Sequence, residues 1–99
     1  MSGAPFVTWA TFAADKYEVV KGVPVRFESS SRATRTFCGA CGTPLTWTGR
    51  ATPEHVDVTV GSMDHPNNFP PTEHIWTASA VGWVHLGDDL PRHPKERPS

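Results

Sequence analysis

The sequence lacks the features that attract nucleic acid or a membrane. Its 99 residues hold 9 Lys and Arg against 10 Asp and Glu, for a formal net charge of −1, so no strong field favours a polyanion. No apolar run reaches the ~20 residues that a membrane-spanning helix needs. The first five residues carry neither a basic start nor an apolar signal core. We therefore expect a cytoplasmic protein with no nucleic-acid partner and no membrane partner.

Cysteine is also scarce, because Cys38 and Cys41 are the two in the chain. They form a CxxC pattern, with glycine at positions 39 and 42. A reducing cytoplasm keeps thiols free, which disfavours a structural disulfide. A structural zinc site usually has four cysteine or histidine ligands, so this pair supplies half of one.

Three interpretations of the CxxC pattern remain open at this point. Glycines on both sides allow a tight turn that brings both sulfurs to one zinc ion. A redox pair of the thioredoxin type needs a helix that opens at the first cysteine, and Gly42-Thr-Pro44 disfavours such a helix. The third interpretation is two small thiols packed at a corner between strands, without metal or reactivity.

Few windows of the chain suit a helix, since ten prolines and eight glycines divide it into short pieces. Alternating apolar and polar residues predict a mainly β fold of short antiparallel strands. In the clearest strand Val56, Val58 and Val60 face inward, whereas Asp57 and Thr59 face outward. Residues 6–12 also fit a helical face, but their aromatic and β-branched side chains favour a strand. The predicted strands are 6–12, 25–28, 34–37, 45–48, 55–60, 74–76 and 83–86.

We expect one domain over residues 1–94 and a disordered tail over residues 95–99, because the end of the chain is polar and rich in proline. Histidines could complete a zinc shell, but the chain has no HxxxH pair at the usual zinc-finger spacing. The histidines are scattered along the chain as His55, His65, His74, His85 and His93. A second route is a homodimer in which each chain gives Cys38 and Cys41 to one zinc on the symmetry axis.

Five ordered blocks of the sequence resemble the glutathione-dependent formaldehyde-activating family. They are Ser29-Ser30, Arg35-Thr-Phe-Cys38-Gly-Ala-Cys41-Gly-Thr-Pro-Leu45, Gly61-Ser-Met-Asp64-His-Pro66, Pro71-Thr-Glu-His74-Ile-Trp76 and Trp83. The resemblance implies a β-tent, a mainly antiparallel fold pinned by zinc. It also implies a carbon–sulfur lyase that joins glutathione and formaldehyde to S-(hydroxymethyl)glutathione.

The resemblance extends to individual residues. It implies that Cys38 and Cys41 are ligands of a structural zinc. His74 has three interpretations: it lines the pocket of a small thiol substrate such as a glutathione adduct, it caps a loop, or it packs on Trp76. Arg35 has two interpretations: its planar fork pairs with a glutathione carboxylate, or it is an exposed side chain that needs no ligand.

The sequence departs from the family pattern in its first residues. Typical members carry a CxC motif and then a CxCxxC motif that holds the catalytic zinc, and neither motif occurs here. We therefore expect a β-tent without the family's N-terminal segment, and we assign no catalytic residue. This is the pattern of a longer reading frame, a fragment or a short paralogue. The chain alone is expected to be inactive, and the alternative is a non-catalytic, zinc-pinned β module that mediates dimer formation or another interaction.

Overall fold

The computed structural model describes residues 4–96. They fall into two compact units, one formed by Thr8–Phe69 and the other by the residues before Thr8 together with those from Pro70 onward. The predicted boundary at residue 94 stays a prediction, and the last three residues of the predicted tail lie outside the described ones. Within residues 4–96, no helix has the length and apolar character to cross a membrane.

The unit Thr8–Phe69 is built on one antiparallel sheet of five strands. This confirms the predicted mainly β class of short antiparallel strands. The order across the sheet is β1-β5-β4-β3-β2. The strands are β1 (Trp9–Ala13), β2 (Val25–Ser30), β3 (Ala33–Phe37), β4 (Pro44–Gly49) and β5 (His55–Thr59).

The first strand resolves the ambiguity between helix and strand near the N-terminus. β1 pairs with β5 over its whole length, from Trp9 opposite Thr59 to Ala13 opposite His55. A 3-10 turn, Ala14–Lys16, then ends the extended run. No α-helix occurs among the described residues, so the aromatic and β-branched composition of this segment was the better guide.

One row of side chains crosses the whole sheet, and we call it the central row. Residues directly opposite each other in an antiparallel pair lie on the same side of the sheet. Phe27 lies opposite Arg35 and Arg35 opposite Trp47. Trp47 in turn lies opposite Asp57, and Asp57 opposite Thr11. The central row is therefore Phe27, Arg35, Trp47, Asp57 and Thr11.

Few side chains are deeply buried in the described part of the chain. No side chain there falls below 2 % exposure. Besides Gly49, the buried positions combine apolar and polar residues: Ala33, Val56, Val60, Thr46 and Thr59. With few buried apolar side chains, this sheet depends on the backbone hydrogen bonds between its strands as well as on apolar burial.

Thr59 corrects one detail of the predicted strand 55–60. The alternation predicted that Thr59 faces outward, yet it is buried at 6 % exposure. Its hydroxyl donates to the Pro44 carbonyl at 2.8 Å and lies 2.7 Å from Ser62 Oγ. The strand ends at this residue, and a 3-10 turn, Val60–Ser62, follows. The reversal of the chain encloses Thr59, so strict alternation fails there.

The segment from Pro70 onward is hydrogen-bonded but irregular, so the predicted strands 74–76 and 83–86 are wrong. His74 forms an isolated bridge with Arg92, and Trp76 has a left-handed φ of 57° that interrupts the extended run. The His74 N–H donates to Pro91 O, and the His93 N–H donates to His74 O. Proline has no N–H to donate, so Pro91 cannot extend the pairing in one direction, and the left-handed Trp76 ends it in the other.

We expect the substitution Thr59→Val to lower the free energy of unfolding by about 1–3 kcal/mol, because it leaves the Pro44 carbonyl without its buried donor. Urea denaturation measures this change. Thr48→Val is the matched control, since Thr48 lies on the neighbouring strand and no side-chain hydrogen bond involves it in the described structure. Its effect should stay within about 0.5 kcal/mol. Equal losses for both variants would contradict this role of Thr59.

Candidate functional site

The two cysteines lie in a tight connection between β3 and β4, which we call the thiol turn (residues 38–43). The Cys38 N–H donates to Thr43 O at 2.9 Å, and the Gly42 N–H donates to Cys38 O at 2.7 Å. Gly42 has a φ of 78°, a left-handed conformation that glycine adopts without steric cost. The CxxC pattern therefore forms a corner between two strands, and no helix begins at Cys38.

The backbone of the thiol turn passes close to β2 at Gly39. A Cβ atom built on Gly39 would lie 3.1 Å from Val25 Cγ2, which is closer than most Cβ contacts. Glycine at position 39 therefore lets the turn approach the Val25 side chain. Cys38 is half-buried in this arrangement, whereas Cys41 is exposed.

Hydrogen bonds favour the thiolate form of Cys41. Its sulfur lies 3.1 Å from Thr43 Oγ1. The Thr43 hydroxyl, the Thr43 backbone N–H and the Cys38 side chain together lower the pKa of the Cys41 thiol, in that order of importance. Thiolates are the form in which cysteines bind zinc. Both thiols therefore belong to one short turn, and the side chain of Cys38 contributes to the lowered pKa of Cys41.

The described residues gather too few donors for a closed zinc shell, which would need four. Among residues 4–96, no group of three or more histidine, cysteine, aspartate or glutamate side chains is placed to hold a metal ion. None of the five histidines joins the cysteines in such a group. The donors present therefore fit two positions of a tetrahedral thiolate site and leave two to be filled.

His74 belongs to the other unit of the chain, and a carboxylate anchors its ring. Its Nε2 atom lies 3.0 Å from both carboxylate oxygens of Asp88. Arg92 donates to the Asp88 carbonyl at 2.9 Å and to the Leu86 carbonyl at 3.2 Å. The side chain of His74 is 19 % exposed. Its predicted contact with substrate stays a prediction.

A second histidine in this unit has a carboxylate partner that the sequence pattern did not indicate. His93 Nε2 lies 2.9 Å from Glu73 Oε2, and both side chains are about four-fifths buried. Neither His93 nor Asp88 was singled out from the sequence, because their partners lie 14 to 20 residues away. No local motif marks such pairs.

Arg35 is not the exposed side chain that its simpler interpretation predicted. The residue is half-buried in the middle of the sheet. Its Nε atom is buried and has no hydrogen-bond partner in the described structure. Sequence analysis proposed a carboxylate partner for this side chain but gave no reason to prefer one, because burial of a strand residue depends on its neighbours across the sheet.

Comparison with known protein families gives one finding. The model of a family described as Glutathione-dependent formaldehyde-activating enzyme matches residues 1–79. The match covers the thiol turn and His74, and it stops before Asp88 and Arg92. No match was found among curated proteins.

The substitution Gly42→Ala should destabilise the thiol turn by about 1–2 kcal/mol, because a residue with a Cβ atom is strained at a positive φ. Nothing lies within 4 Å of the added Cβ, so backbone strain alone is tested. Gly61→Ala is the control, since its Cβ also meets nothing and its φ is not positive. Urea denaturation of both variants measures the difference, and an equal cost would contradict the strain argument.

Removal of the imidazole in His74→Gln should raise the pKa of the Asp88 carboxyl part of the way to its ordinary value of 3.8. The rise is partial because the largest cause of the lowered pKa is the Leu90 N–H, 3.0 Å away. Carbon-detected NMR titration of the Asp88 carboxyl measures the change. His93→Gln should leave this pKa unchanged.

The lowered pKa of Asp88 also makes the stability of the fold depend on pH. The native state holds the Asp88 proton less tightly than the unfolded state does. Its contribution to stability is therefore present above the unfolded pKa and is lost as the pH falls through the folded pKa.

For the His74→Gln variant, an Asp88 titration midpoint equal to that of the natural chain would show that the imidazole has no influence on the pKa of Asp88.

Proposed function

This chain belongs to the glutathione-dependent formaldehyde-activating family, and we propose that it is a zinc-binding domain of that family which accepts a small thiol of the glutathione type. The family match over residues 1–79 confirms the resemblance found in the sequence. The membership suggests glutathione-dependent activation of formaldehyde. The thiol turn supports the zinc part of the proposal, because it holds both cysteines in one connection between β3 and β4 and because hydrogen bonds lower the pKa of the Cys41 thiol.

The proposed family reaction joins a sulfur to a carbon. The glutathione sulfur, as thiolate, attacks the carbonyl carbon of formaldehyde and forms a carbon–sulfur bond. The electron pair of the broken π bond moves to oxygen, which takes up a proton and becomes the hydroxyl of S-(hydroxymethyl)glutathione. Lyase activity is the reverse of this addition. In a cell the reaction would belong to the cytoplasm, where glutathione and reduced thiols occur.

We assign Cys38 and Cys41 a structural role in this scheme. A zinc ion bound there would cross-link the turn between β3 and β4. An open coordination position for substrate needs three protein ligands, and the described residues gather two. No reaction step is therefore assigned to this site, and we propose that the chain alone does not catalyse the addition. His74 remains the proposed contact to substrate, held in place by Asp88.

A second function is proposed because one chain gathers two of the four ligands that a closed zinc site needs. Two copies of the chain would each contribute Cys38 and Cys41, and together they would supply the four thiolates of a closed zinc site. The exposure of Cys41 at a corner of the sheet supports this arrangement. The chain would then be a zinc-pinned interaction or dimer module without catalytic function.

Metal analysis separates these proposals. A shared site predicts about half a zinc ion per chain in a dimer, measured by plasma mass spectrometry and light scattering. Cys38→Ser and Cys41→Ser should each lose the metal and the dimer, whereas His65→Gln should keep both. One zinc ion per monomer would refute the shared site, and a monomer free of zinc would refute any zinc role for the thiol turn. Turnover of glutathione and formaldehyde above the buffer rate would refute inactivity of the chain alone.

A further inference from the structure

Arg35 lies at the middle of the central row and is flanked by two aromatic residues. Its register partners are Phe27 on β2 and Trp47 on β4. Side chains opposite each other in antiparallel strands lie about 4.5–5.5 Å apart at Cβ. The Arg35 side chain therefore leaves the sheet between those of two aromatic residues, and its inner nitrogen, Nε, is buried. Phe27 itself is 57 % exposed, so this end of the row can be reached from solvent.

The guanidinium of Arg35 lacks a partner inside the described structure. Its Nε atom is buried without a hydrogen bond, and no ion pair involves this side chain in residues 4–96. Arginine offers five N–H donors and keeps its charge at all ordinary pH values. Buried donors without partners are rare in folded proteins, and each one calls for a water, an ion or a ligand.

The neighbouring carboxylates do not meet this need. Asp57 stands two strands away in the central row, which is about 10 Å at the usual spacing of strands. It also accepts a hydrogen bond from the Thr11 hydroxyl. Glu28 pairs with Arg50 at 3.3 Å, and it alternates to the opposite side of β2 from Phe27. The charge of Arg35 is thus left for a group from outside the sheet.

We propose that Arg35 binds a carboxylate of the thiol substrate and thereby fixes its position beside the sheet. The planar fork of arginine matches a carboxylate with two parallel hydrogen bonds. Glutathione carries two carboxylates in addition to its thiol, so it has the group that this side chain lacks. The identity of the ligand rests on the proposed function, whereas the binding of a carboxylate rests on Arg35 itself.

The test follows the Nε–Hε signal of Arg35 by nitrogen-15 NMR in the full chain. Three probes are titrated: glutathione, glutathione diethyl ester and glutarate, a dicarboxylate without a thiol. We expect saturable shifts with glutathione and glutarate, and no shift with the diester. The variant Arg35→Gln should bind glutathione about tenfold more weakly, because hydrogen bonds to a charged group are lost. Arg35→Lys should recover part of the affinity, because it keeps the charge without the fork.

Arg26→Gln is the matched control. Arg26 lies on β2 next to Phe27 and therefore points to the opposite side of the sheet. Its replacement should change glutathione affinity less than twofold. The wild-type NMR signal decides the question even if the Arg35 variants fail to fold.

Each outcome separates this inference from the proposed function. If glutarate shifts the Arg35 signal and glutathione does not, the carboxylate site stands and the glutathione assignment fails. Glutathione that binds elsewhere without moving this signal would leave the proposed function in place and overturn the role of Arg35. A signal that moves with neither probe would also overturn it.

Discussion

Backbone pairing of β3 with its two neighbours is the constraint on which the described site depends. β3 pairs with β2 on one side and with β4 on the other. The thiol turn exists because β3 and β4 are antiparallel neighbours, so that the chain must reverse within residues 38–43. The same pairings place Arg35 between two aromatic residues. With so little complete burial in the sheet, loss of this register would remove the thiol turn and the surroundings of Arg35 together.

The sequence predicted the central strands well, because their composition and alternation agree. Residues 34–37 and 45–48 were predicted as strands on either side of the cysteines, and β3 and β4 extend each by one or two residues. The failures have a physical cause. Thr59 becomes buried because the chain turns over it. Residues 74–76 remain irregular because Pro91 has no N–H to donate and because Trp76 is left-handed. The first effect involves the adjacent turn Val60–Ser62 and the distant Pro44 carbonyl, and the second depends on residues distant in sequence.

The same distinction applies to the candidate site. Cys38 and Cys41 are recognisable because their spacing is local and glycine marks the turn at position 42. The partners of His74 and Arg35 are not recognisable in this way. Asp88 reaches His74 across 14 residues, and the buried Nε of Arg35 results from neighbours on two other strands. Sequence motifs thus located the two cysteines of the thiol turn, whereas the anchoring of the other polar groups required the fold.

The prolines that flank the bridge between His74 and Arg92 have a consequence for self-association. A run of free N–H groups along an extended segment offers a template on which another chain can add a strand. Pro91 and Pro94 interrupt that run on both sides of Arg92 and His93. The segment can therefore form single backbone hydrogen bonds with residues near His74 in its own chain. It is, however, a poor template for the addition of strands from other chains, as in amyloid.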